Sequence, residues 1–201
     1  MTIQSMNMKK GLFTVTLATV QNSNVETITT MINDVYRVGE KGILIDTGAN
    51  PFHRVTKDEI LDMIIQGKML VLAEDSFKQD IVGCIKMDLL DDNIGEWGCL
   101  AVTVANQSKG YGNALVSAIE THMQEAYGCK MAQLELLAPT HWKHEHKERL
   151  RLWYQRMGYE MKVPEDYSAS TQTLKEGSIL GDRFCLATDA DFTTCQKHLG
   201  S

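Results

Sequence analysis

A chain of 201 residues, 43% hydrophobic and 23% charged, can bury one sizeable core and has the balance of an ordinary soluble globular protein. Its formal net charge of −6 argues against a general nucleic-acid binder, which needs a basic face, and is compatible with a cationic partner. The five cysteines, Cys84, Cys99, Cys129, Cys185 and Cys195, form no CxxC pair. That fits neither a zinc ribbon nor a disulfide framework, and they read as reduced thiols of a cytoplasmic protein. The N-terminal stretch alternates apolar residues with threonine after Lys9 and Lys10, unlike a signal peptide. No run approaches the roughly 20 apolar residues of a membrane span.

No repeat, low-complexity tract or linker divides residues 1–201, so one domain is expected, with Pro51, Pro139 and Pro164 all between periodic segments. The alternation Leu12–Val20 predicts a first strand. Val25, Ile28, Met31, Ile32 and Val35 recur at helical spacing and predict a helix over Asn24–Arg37. A polar, glycine-containing loop, Val38–Val55, follows. Thr56 and Glu59 form a capping-box pattern that opens a helix to Gly67. Met69–Glu74, Ile81–Leu90 and Ile94–Val104 are apolar, β-branched runs separated by acidic turns and read as a meander. Asn113–Tyr127 returns to helical period, with Gly128 as its C-cap. Met131–Leu137 predicts a strand, His144–Met157 a helix stopped by Gly158, Tyr159–Val163 a short strand and Asp191–His198 the last one. Pro164–Ala190 has no readable pattern. The order β-α-α-β-β-β-α-β-α-β-β predicts a mixed α/β (α+β) fold with a central sheet of about seven strands and helices on both faces.

The stretch VTVANQSKGYGNALV places a glycine-rich turn between a strand and a helix. Such a turn presents unpaired main-chain amides at the positive end of a helix dipole, which makes an anion site. Gly110 and Gly112 let the backbone approach a phosphate closely, and Lys109 adds a charge. The stretch lacks the Walker pattern, and a dinucleotide fingerprint would need a small residue where Leu115 stands. A plain strand-to-helix turn is the structural alternative.

Gln107-x-x-Gly110-x-Gly112 resembles the Q/R-x-x-G-x-G/A pattern with which N-acetyltransferases of the GNAT superfamily hold the pyrophosphate of coenzyme A. The element order is also similar to theirs, and LWYQRMGYE resembles the end of their last helix. The resemblance spans about Leu12 to Lys162. It implies a GNAT fold and an acetyl-CoA-dependent N-acetyltransferase with acetyl-CoA as cosubstrate and no metal. It implies main-chain contacts from Leu100, Ala101 and Val102 to the pantetheine arm. The diphosphate would lie on the turn formed by Gln107, Ser108, Lys109, Gly110, Tyr111, Gly112 and Asn113.

The chemistry adds a demand of its own. An alkyl amine of pKa near 10.4 is neutral in only about one molecule in 10³ at pH 7, so a base is useful. Glu96 lies in an otherwise apolar strand, and on period 2 it would share a face with Leu100 and Val102. Its offset from Gln107 resembles that of the general-base glutamate in histone-acetylating members. A solvent-facing glutamate at a strand start is the alternative. Tyr154 aligns with the family tyrosine that protonates the leaving thiolate. It falls roughly 65° off the stripe of Leu150, Trp153 and Met157; a core tyrosine is its alternative. Lys147 stands where many relatives have an asparagine that contacts the pantetheine.

His144 and His146 would diverge by roughly 200° on a helix and cannot chelate together, so no metal is expected. His141 and Trp142 are candidates for the acceptor pocket, beside the alternative of solvated helix-start residues. The resemblance places acceptor specificity in two segments: Val38–Val55, with Glu40, Asp46, His53 and Arg54, and Pro164–Ala190, with Glu165, Asp166 and Tyr167. A small amine acceptor is expected, with a protein lysine or N-terminus as runner-up and a non-catalytic acyl-CoA sensor as the alternative of another class. Neither nucleic acid nor membrane is an expected partner. The oligomeric state, a homodimer included, stays open.

Overall fold

The computed structural model of the chain describes residues 2–8, 11–45, 53–74, 80–90, 93–161, 171–180 and 183–200. Local chemistry sets its helices. Asn24 accepts the Thr27 N–H at 3.0 Å and opens α1, Val25–Gly39, which buries Ile28, Met31 and Ile32. Thr56 and Glu59 cap each other reciprocally, Thr56 N–H to Glu59 Oε2 at 2.8 Å and Glu59 N–H to Thr56 Oγ1 at 3.3 Å, and start α2, Lys57–Ile65. Gly110 in the left-handed region precedes α3, Tyr111–Tyr127, and Gly128 at φ 70° ends it. His144 caps α4, Glu145–Arg156. Its Nδ1 accepts the Lys147 N–H at 3.4 Å while Nε2 lies 3.2 Å from the Lys41 carbonyl, and the Nε2–H tautomer satisfies both.

The strands are β1 Thr2–Met8, β2 Gly11–Leu17, β3 Leu44–Ile45, β4 Met69–Ala73, β5 Ile81–Leu89, β6 Ile94–Val102, β7 Met131–Pro139, β8 Glu160–Met161, β9 Thr171–Leu174, β10 Ile179–Leu180, β11 Phe184–Leu186 and β12 Ala190–His198. A nine-stranded sheet runs β1-β2-β4-β5-β6-β7-β12-β8, with β9 also on β12. It contains each of the seven expected strands. β1 adds an antiparallel partner on β2, and β9 comes from the stretch without a readable pattern. β3, β10 and β11 form a separate small sheet. β2 stops at Leu17, short of Val20, because Asn22 turns the chain back: its Oδ1 accepts the Thr19 N–H at 2.7 Å. Asp46, Pro51, Glu165, Asp166 and Tyr167 lie outside the described residues.

Alternation along the strands gives the sheet two apolar faces. On one, Leu72, Ile85, Trp97, Val102 and Leu134 pack with Leu115 and Ile119 of α3. On the other, Met69, Val71, Cys84 and Ala101 pack with Ile28 and Ile32 of α1 and Ile60 of α2. Helices therefore cover both faces, as expected. Among the described residues no helix is long and apolar enough to cross a membrane, and no two of the five cysteines form a disulfide.

Candidate active site

Among the described residues β6 and β7 are the one parallel pair in the sheet, and they pair only through Ile94–Met131, Gly95–Ala132 and Glu96–Gln133. Past Glu96 they diverge, and a cleft of about 780 Å³ opens between them, lined by Leu100 and Val102 on one side and Leu134 to Leu137 on the other. On its opposite edge β6 carries a bulge: Lys86 of β5 faces Gly98, but Cys84 faces Ala101. Cys99 takes φ 48° there. Such a conformation costs a non-glycine residue about 1–3 kcal/mol and persists where the surroundings hold it. A bulge also bends and twists its strand, which fits the turning of β6 away from β7.

The bulge corrects one expectation. Trp97 and Val102 both pack on the α3 face, whereas Ala101 packs on the α1 face, because the extra residue inverts the alternation. Glu96, next to Trp97, therefore lies on the α1 side with Ala101 and does not share a face with Leu100 and Val102. A second correction concerns Ala101. The Thr103 N–H donates to the Val82 carbonyl at 2.9 Å, and successive peptide groups of a strand alternate between its two neighbours. Ala101 thus spends its main-chain groups on β5, and Val102 turns its own toward the cleft. The Val102 carbonyl accepts Gln107 Nε2 at 3.2 Å, so its N–H is the group left for a ligand.

After β6 a short turn of 3₁₀ helix, Val104–Asn106, leads into the glycine turn. Ser108 at φ 62° and Gly110 at φ 88° curl the backbone. Among the described residues, no partner takes the main-chain N–H groups of Ser108 through Asn113; Ala114 is the first engaged, on the Gly110 carbonyl at 3.1 Å. Gln107, Ser108, Gly110, Tyr111, Gly112 and Asn113 line the cleft. Trp153 donates to Asn113 Oδ1 at 2.7 Å and stands 3.4 Å from where a Cβ on Gly112 would be, so the second glycine lets α4 close on the turn. Free amides at the start of a long helix suit an anion. Two residues depart from the expected set. Lys109 turns out of the cleft to Glu74, at 3.3 Å, and to Asn106. Gln107 spends its N–H on the Val104 carbonyl, at 3.4 Å, and positions the turn without donating to it.

Glu96 is half-buried and accepts Gln133 Nε2 at 3.1 Å; Gln133 in turn accepts Gln196 Nε2 at 2.6 Å. Tyr154 is only 8% exposed yet lines the cleft, its ring edge-on to Trp97 at 5.7 Å. Burial pushes its hydroxyl pKa well above that of an ordinary phenol, so it remains a proton donor through neutral pH.

Sequence reasoning passed over several cleft residues, Tyr36 and Glu135 among them. Tyr36 extends the buried stripe of α1 by one residue. Glu135 alternates with Leu134 and Leu136 and so shares the α1 side with Glu96. Burial raises the Glu135 carboxyl; a bond from Thr194 Oγ1 at 2.8 Å opposes the rise and the Glu96 charge adds to it. Of the histidines, His146 lines the cleft. His141 instead reaches Asp189 at 3.3 Å on the surface, and Trp142 stacks near His144, so neither lines the pocket. Lys147 is buried and pairs with Glu40 at 3.4 Å, which takes it away from the contact an asparagine makes there.

Residues 66–161 match the family model described as the acetyltransferase (GNAT) domain. Solved structures share the fold. The PaiA N-acetyltransferase of Thermoplasma acidophilum, in complex with coenzyme A, superposes with a TM-score of 0.63 at 12% identity, covering 92% of this chain and 98% of that one. The ribosomal-protein-S18-alanine N-acetyltransferase of Escherichia coli gives 0.59 at 12% identity, over 94% and 95%. N-acetylglutamate synthase of Neisseria gonorrhoeae, complexed with coenzyme A and N-acetyl-glutamate, gives 0.56 at 16% identity. The match covers 96% of this chain but spans 36% of that enzyme. No curated protein sequence matches the chain. A sheet splayed at its parallel pair, with a glycine turn at the mouth, defines a GNAT acyltransferase fold, and residues 66–161 of the chain match the GNAT acetyltransferase domain model.

Proposed function

We propose that the protein transfers the acetyl group of acetyl-CoA to the primary amine of a small molecule by direct attack of the amine on the thioester, and that it works in the cytoplasm. The carrying observation is the splay of β6 from β7, with the free amides of Ser108 to Asn113 at one end. The diphosphate sits on those amides, the pantetheine arm runs along β6 past Val102 and Leu100, and the thioester reaches the gap where the strands part.

Glu96 stands on the α1 side of that gap, where an acceptor would enter, and takes a proton from the ammonium, directly or through water. The neutral nitrogen then attacks the thioester carbon. The C–N bond forms, and a main-chain N–H of the bulged segment near Leu100 stabilises the oxyanion. As the C–S bond breaks, Tyr154 gives its proton to the thiolate, and the surplus proton on the acylated nitrogen passes through water to restore the Tyr154 hydroxyl, leaving a neutral amide and the CoA thiol. The Tyr154 hydroxyl belongs to the α4 side and Glu96 to the α1 side, so acid and base approach the thioester from opposite faces.

Release of free CoA thiol across panels of small amines and peptides tests the reading. Turnover of small amines above peptides is expected. Preference for peptide lysines or N-termini would make the acceptor a protein. Calorimetric binding of acetyl-CoA without turnover of any amine would make the chain a sensor.

A further inference from the structure

The acceptor side of the cleft carries charge of both signs. Glu96 and Glu135 lie together on the walls of the splay, and Glu40, Arg54 and Lys147 form a cluster beside Tyr36. Glu40 and Lys147 are 4% and 6% exposed and neutralise each other. Arg54 lies with its guanidinium 4.9 Å from the Tyr36 ring and 5.8 Å from the Phe184 ring. Among the described residues no carboxylate is in ion-pair contact with it, although the Glu40 charge acts on it. Of the other cations that line the cleft, Lys86 is held by Asp88, and Arg149 and Arg156 are solvent-exposed on α4. The cluster is also incomplete: Glu40 Oε2 is buried without a hydrogen-bond partner among the described residues. A buried unpaired carboxylate oxygen calls for a donor from outside the described side chains.

Building on the acetyltransferase reading, we infer that the acceptor is a small zwitterion, an amino acid whose amine lies at Glu96 and Glu135 while its carboxylate pairs with Arg54. The planar guanidinium between two rings is pre-organised for bidentate recognition of a carboxylate. The unpartnered Glu40 Oε2 accepts an N–H or O–H brought in by the bound molecule or its water. A diamine of similar length would place its second ammonium against Arg54, where like charges repel.

The test compares amino acids with amines of the same carbon chain lacking the carboxylate, by CoA release and by thermal shift with CoA present. The carboxylated member should win by on the order of 30-fold or more in kcat/KM. Arg54→Gln should collapse that ratio toward one, and Arg54→Lys, which keeps the charge but not the fork, should give an intermediate ratio. Equal or better turnover of the plain amines or diamines by the wild type overturns the inference. So does an Arg54→Gln protein that keeps the full ratio. If no amine turns over, thermal shift decides: stabilisation by amino acids alone supports the inference, and stabilisation by neither, with CoA bound, overturns it. Failure to bind CoA would instead overturn the acetyltransferase reading, whatever the amino acids do.

Discussion

Trp97 donates its indole N–H to the Tyr159 hydroxyl at 2.7 Å, and that hydroxyl donates on to Glu120 Oε1 at 2.6 Å. Lys197 completes the set at 2.7 Å from Glu120 Oε2. The chain of bonds ties β6, beside its bulge, to α3, to Tyr159 between α4 and β8, and to β12. Tyr159→Phe leaves a buried indole N–H and a carboxylate oxygen short of a partner. A stability loss of about 1–3 kcal/mol is expected, read as a lower denaturant midpoint at constant slope. A midpoint equal to wild type would show that the network bears no load.

Glu96→Gln keeps the shape and the bond from Gln133 in altered form but removes the base. Turnover should fall by roughly 10²–10⁴ while acetyl-CoA affinity by calorimetry stays close to that of wild type. Full activity across the pH range would remove Glu96 from the mechanism.

Tyr154→Phe should lower the turnover number and leave acetyl-CoA binding nearly intact, because the ring keeps its edge contact with Trp97. Since burial raises the hydroxyl pKa, the wild type should show no loss of the acid as pH climbs from 7 to 9. An unchanged turnover number in the variant would assign the tyrosine to packing alone.

Arg183 grips Glu59 with two bonds, one of them Nη1 to Oε2 at 2.9 Å, and holds the Glu59 pKa down to about 2, with burial opposing and the Thr56 bonds assisting. A depressed carboxyl contributes stability that is complete above its unfolded value, near 4.3, and is lost as pH falls toward 2. The pair is half in solvent, so the contribution is about 1 kcal/mol or less. Denaturation between pH 7 and pH 2.5 should show Arg183→Gln closing its gap to wild type as acid is added. Parallel curves would contradict the linkage.

The parts of the fold written in periodicity and capping were legible: Thr56 with Glu59, Gly128 after α3, and the spacing of Gln107, Gly110 and Gly112. Lys147 was legible as a departure, although not its buried partner Glu40, which lies far away in sequence. The bulge was invisible, because strict alternation from Glu96 assumes that no residue is added, and Cys99 is not a residue type that advertises a positive φ. Lys109 looked like a phosphate ligand from composition, but Glu74, just past the end of β4, competes for it. The strands β9 to β11 are too short for a period to emerge, and what orders them is pairing with β12 and β3 across long separations.

The most direct test is a crystal structure with CoA. The diphosphate should lie within hydrogen-bond distance of the main-chain N–H groups of Ser108 to Asn113, with the pantetheine accepting from the Val102 N–H and the thiol between Glu96 and Tyr154. Coenzyme bound elsewhere, or none at saturating concentration, would contradict the assignment of the glycine turn and of the cleft behind it.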